Sequence, residues 1–262
     1  MLYACKKCRV LELIHHESRD FNRLIQDQEV KKIFNNPHEG KLVLLEQLSF
    51  SEKDKHLINT LVDSPKTDLI ILVSSATIDS FKKSEWAKKL QVKSKLKDFE
   101  LVQAYHKEIA RYCKSLVPAS KEYFFHLFSR QQGSNMYGII LGTASRANMS
   151  KFLNNCWKQD PYLGESNLIK SSLSDERSMI DSSGLSHKQQ QIKKEFVELV
   201  LQGKINNQMS SIVFALSRGC TIDFIIDLTE ELLAEEKIDI VGRVSHTIRH
   251  RCQANDYYIH VP

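Results

Sequence analysis

Apolar residues in this chain collect in short uninterrupted runs, and the stretches between them repeat every three to four positions. The runs are "VLELI" at 10–14, "KLVLLEQL" at 41–48, "TDLIILVSS" at 67–75 and "MYGIILGT" at 136–143. Each has the length and bounding polar residues of a buried strand. Between them, "SRDFNRLIQDQEVKKIF" opens on Ser18 as an N-cap and places Phe21, Leu24 and Ile25, then Val30, Ile33 and Phe34, on helical spacing. "SEKDKHLINTLVD" repeats the pattern behind Ser51. Strands alternating with helices predict an α/β domain with a largely parallel sheet.

The rhythm then changes. Residues 98–130 read as helical, with Leu101, Tyr105, Ile109 and Tyr112 on one stripe and a break at Pro118 before "SKEYFFHLFSRQQ". The Ser-rich stretch "SSLSDERSMIDSSGLS" at 171–186 has few large apolar groups and reads as a linker. Beyond it come three helical segments, at 187–202, about 207–217 and 221–235. "KIDIVGR" and "DYYIHV" then read as two short paired strands. Three helices followed by two strands is the order of a winged helix. The expected organisation is a sheet domain over 1–172, a linker over 173–186 and a winged helix-turn-helix over 187–262.

With 262 residues, 42% of them hydrophobic, the chain can build a sizeable core. No apolar stretch reaches the length of a membrane span and the N-terminus carries no secretory pattern, so a cytoplasmic protein without a membrane partner is expected. Six scattered cysteines suit a reducing compartment better than a disulfide framework. The net charge of +5 is unevenly placed. Lys82, Lys83, Lys88, Lys89, Lys93, Lys95 and Lys97 against Glu85 give a local +6, while residues 221–239 hold seven acids against Lys237. The lysine run, with Arg243, Arg249 and Arg251, is the candidate surface for DNA or RNA. The acidic third helix of the winged helix would repel a duplex.

Catalytic signals are sparse. The first glycine is Gly40, so no glycine-rich turn follows the first strand, where a dinucleotide or adenosyl group would require one. Glu17 stands where a ribose-binding carboxylate would, with a helix-start acid as its plainer reading. His15 and His16 lack partners at a telling spacing, and Cys5 and Cys8 form a CxxC without a second pair for zinc. No metal and no bound cofactor are expected.

"MYGIILGTASRANMSKFLNNCWKQDPYLGESNL" resembles the segment of three-Cys-motif partner proteins in which a strand leads through a turn into a helix bearing Trp-Lys and an Asp-Pro. Gly142, Thr143, Lys151, Phe152, Trp157, Lys158, Asp160, Pro161, Gly164 and Glu165 match that pattern. Ala144 to Ala147 depart from its Asn-His-Pro portion. "KLVLLEQLSF" is similar to the family's strand ending in Asp-Pro-Phe-Gly, with Glu46 at the Asp position and "EQLS" in place of the motif. Downstream, Gly203, Lys204, Ile205, Gly219, Leu232, Leu233, Lys237 and Ile238 fit the family's C-terminal winged helix. The likeness spans about residues 40–241 and is most specific over 137–167.

This resemblance implies an incomplete, methyltransferase-like (Rossmann-type) sheet domain followed by a winged helix, in a shortened member of the family. Glu46 by this resemblance, and Glu17 by its place after the first strand, are the candidate cofactor-binding residues. The function expected is a non-catalytic adaptor associating with nucleic acid, with a partner such as a three-Cys-motif protein, or with both. The alternative is an S-adenosylmethionine-dependent enzyme completed by a partner chain. Trp157 is expected to lie buried against the sheet.

Overall fold

The computed structural model describes residues 28–46, 48, 50–88, 98–132, 135–167, 180, 184–242 and 257–262. Helix α1 (Gln28–Asn35) leads into strand β1 (Lys41–Leu45), and α2 (Glu52–Asp63) crosses to β2 (Thr67–Val73). Then come α3 (Ser75–Lys82), the single turn α4 (Glu85–Lys88) and the long α5 (Asp98–Ser115). Strands β3 (Phe124–Gln132) and β4 (Asn135–Thr143) precede α6 (Arg146–Gln159). Helices α7 (His187–Leu201), α8 (Gln208–Arg218) and α9 (Ile222–Ala234) are followed by the antiparallel pair β5 (Asp239–Gly242) and β6 (Tyr257–His260). The candidate strand at 10–14, the Ser18 cap, Cys5, Cys8, His15 and His16 lie outside the described residues, as does most of the 173–186 linker.

The fold is mixed α/β around a four-stranded sheet of order β1-β2-β4-β3. Only β1 and β2 run parallel; β4 is antiparallel to both β2 and β3. This corrects the expectation of a largely parallel sheet. The cause is a second correction: "FFHLFSRQQ", expected in a helical region, is strand β3, paired with β4 from Phe124↔Thr143 to Gln132↔Asn135. Only Gly133 and Ser134 separate the two strands in sequence, and so short a connection forces a hairpin. A continuous apolar run fits either a strand or a buried helix by periodicity, and here the neighbouring strand decides.

The sheet separates two cores. On one face Leu69, Ile71, Leu127 and Ile140 pack with Ile58 and Leu61 of α2, Phe81 of α3 and Ile109 of α5. Across the sheet, Phe124 joins Met149 and Leu153 of α6 to Phe196, Ile212, Ile225, Tyr257 and Ile259. Helix α6 therefore shares its core with the C-terminal helices. That core is capped at every described helix start: Ser145, Ser186, Asn207 and Thr221 each accept a backbone N–H of the first turn. Gly219, at φ +68°, ends α8 in the left-handed conformation that favours glycine.

Candidate functional site

Two polar networks bracket α6, one at each end. The first is the turn between β4 and α6. Thr143, buried at the end of β4, donates its hydroxyl to the Asp68 carboxylate of β2. Thr143 Oγ1 in turn accepts the Ser145 N–H at 2.8 Å. Asn148 Nδ2 donates to the other Asp68 oxygen at 2.7 Å, and Arg146 Nη2 pairs with Glu122 at 2.6 Å. Gly142 has no room for a side chain, because a Cβ there would overlap the Phe125 ring. The turn is closed on itself.

Its position matters as much as its bonding. In open α/β sheets ligands settle beyond the carboxyl ends of the parallel strands. Glu46 follows β1 at that end and is exposed. Thr143 instead hydrogen-bonds Asp68, near the start of β2, because β4 runs the other way. In register the two differ by about four residues, roughly 13 Å at the usual strand rise. Glu46 and the Gly142–Thr143 turn therefore do not form one site, and Glu17 lies outside the described residues.

The second network follows α6 and ties the sheet to the C-terminal helices. Asp160 is 2% exposed and its carboxylate accepts four backbone N–H groups. Those of Tyr162 and Leu163 reach one oxygen at 3.2 and 3.0 Å, and those of Glu165 and Ser166 the other at 2.9 and 3.1 Å. The loop so formed holds Gly164 at φ +64° against the indole of Trp157, where a Cβ would approach Nε1 to 2.6 Å. Trp157 donates from Nε1 to the Gly219 carbonyl at 2.9 Å, across to the turn after α8. It is half-buried at this junction, which corrects the expectation that it lies buried against the sheet: its indole packs on Gly164 and reaches the turn after α8.

Charges complete the junction. Lys188, the second residue of α7, donates to the Leu163 carbonyl at 2.6 Å and to Glu165 at 2.9 Å, with its ammonium 5.4 Å from the centre of a Trp157 ring. Lys107 of α5 holds the other Glu165 oxygen at 2.7 Å. Burial alone would raise the Glu165 pKa, but the two lysines outweigh it and hold the group down at about 2. His126 of β3 donates from Nε2 to the Gly164 carbonyl at 3.1 Å, and its ring leaves no space for a Cβ on Gly219. Burial, with Lys188 acting in the same direction, pushes this histidine down to about 4, so it is neutral at pH 7. Lys114 donates to the Ser217 carbonyl at 3.0 Å beside it.

Seen from the motif, the residues divide by direction. Trp157, Asp160, Gly164 and Glu165 turn inward and build the junction, whereas Lys151, Lys158 and Pro161 are exposed. Sequence reasoning missed His126, Lys107, Lys188 and Asp68, whose partners lie 23 to 80 residues away along the chain. No local pattern marks them. Of the lysine run, Lys82 pairs with Asp79 at 3.3 Å and lies 5.2 Å from the Tyr105 ring centre, Lys88 pairs with Glu85, and Lys83 is exposed. Lys89, Lys93, Lys95, Arg243, Arg249 and Arg251 lie outside the described residues.

The described thiols are sealed from water. Cys113, Cys156 and Cys220 are buried, and burial pushes each thiol up to about 12. His106 Nδ1 lies 3.0 Å from Ser129 Oγ, but both residues are fully buried and burial lowers the histidine to about 4. Among the described residues no group of three or more His, Cys, Asp or Glu is placed to hold a metal ion, and no helix is long and apolar enough to cross a membrane. A groove of about 400 Å³ runs between α7 and α9, lined by Leu185, Val197, Leu228 and Leu232 and rimmed by Lys194 and Glu235. In comparisons with known proteins, no family model matches the sequence, and neither curated proteins nor solved structures give a match.

Proposed function

We propose that the chain is a non-catalytic adaptor of the three-Cys-motif partner type, whose C-terminal winged helix holds a protein partner in the cytoplasm. The observation that carries this reading is the internal use of the motif. Asp160 accepts four backbone N–H groups, Trp157 donates to Gly219, and Glu165 is shared by two lysines. None of these groups is left to meet a substrate. The winged-helix assignment rests on the order α7-α8-α9-β5-β6 and on the three-residue turn 219–221 between α8 and α9. In a helix-turn-helix the start of the second helix meets the base edges. Here α9 opens with a buried Ile222 and offers no lysine or arginine to a phosphate backbone, which favours a protein partner over a duplex.

The sheet domain is then a methyltransferase-like Rossmann-type unit over 1–172, without the glycine-rich turn that would hold S-adenosylmethionine. Co-expression with a three-Cys-motif protein, followed by size-exclusion chromatography, tests the reading: a stable complex is expected. Calorimetry with S-adenosylmethionine should give no heat from the chain alone or from the complex. Binding that arises only in the complex would support an enzyme completed in trans. Salt-dependent binding of DNA or RNA without a protein complex would replace the protein adaptor with a nucleic-acid one.

A further inference from the structure

We draw no further inference here: the strongest candidate, the sheet face over the edge strand β1, where Leu42 and Leu44 are 67% and 53% exposed beside the half-buried Ile70 and Leu72 of β2, is an apolar face without a partner among the described residues and nothing in the structure shows what covers it.

Discussion

The two ends of α6 carry similar polar motifs but place them in different surroundings. At its start, Thr143 and Asn148 tie the turn to Asp68 on the neighbouring strand, and the cluster is partly open to water. At its end, Asp160, Trp157, Gly164 and Glu165 join elements from both sides of the sheet in a largely desolvated junction. The first fixes a local bend. The second fixes how the C-terminal helices sit on the sheet, so the same kind of residue should cost far more to lose there.

The largest expected effect is at Asp160. Asp160→Ala strands four backbone donors in a site with little access to water, and should cost about 3–5 kcal/mol in denaturant unfolding. Asp160→Asn keeps one acceptor oxygen and should cost less. A loss under about 1 kcal/mol for the alanine variant would mean that the loop re-forms its hydrogen bonds without the carboxylate.

Acid probes the same junction through its histidine. His126 is held near pKa 4 in the folded chain, below its ordinary value near 6.5. The unfolded chain therefore binds the proton first. The stabilisation is complete above pH 6.5 and is lost as pH falls towards 4, by roughly 3 kcal/mol at most. His106 adds a contribution of the same sign over the same window, from the other side of the sheet. Glu165, held at about 2, contributes above its ordinary 4.5 and loses that contribution as pH falls from 4.5 towards 2. His126→Gln, which keeps a donor for Gly164 but does not titrate, should flatten the slope of stability against pH between 4 and 6.5 while leaving the His106 share. An NMR titration placing His126 near 6.5 in the native chain would show that the junction is open to water.

Much of the architecture was legible because it is local. Ser51 announces the start of α2, and the apolar runs at 41–48, 67–75 and 136–143 became β1, β2 and β4. Strand β3 was misread because Phe124, Phe125, Leu127 and Phe128 are buried on both faces of the sheet, which erases the alternation that marks a strand. The direction of β4 followed from that hairpin and moved the turn away from Glu46. At the junction, Trp157 and Asp160 stood out in sequence, but Gly219 and Lys188, which meet Trp157, and His126, which bonds the Gly164 carbonyl, are brought there by tertiary packing alone. A motif reveals that a residue matters without revealing whether it reacts or braces.

Three glycines at nearly the same backbone angle separate strain from packing. Gly164, Gly219 and Gly203 lie at φ +64°, +68° and +69°. A Cβ meets Trp157 at the first and His126 at the second, while nothing lies within 4 Å at the third. Gly203→Ala should cost only the left-handed strain, about 1 kcal/mol. Gly164→Ala and Gly219→Ala must also displace a ring and should cost about 2–3 kcal/mol. Equal losses in thermal or denaturant unfolding at all three positions would mean that the junction adjusts freely.

The smallest effect should come from the turn at the start of α6. Thr143→Val keeps shape and volume but removes a donor to Asp68 and the acceptor for the Ser145 N–H. Asp68 retains Asn148 Nδ2 at 2.7 Å and stands where water can reach it, so the carboxylate is not left bare. Ser145 is itself only partly buried. The cost should be about 1 kcal/mol, that of an ordinary hydrogen bond exchanged for water. Asp68→Asn should fall in the same range, because its amide oxygen can still accept from one of the two partners. A loss at Thr143 equal to that at Asp160 would erase the distinction between the two ends of α6. The turn would then have to be counted, with the junction, among the contacts that hold the two cores to one sheet.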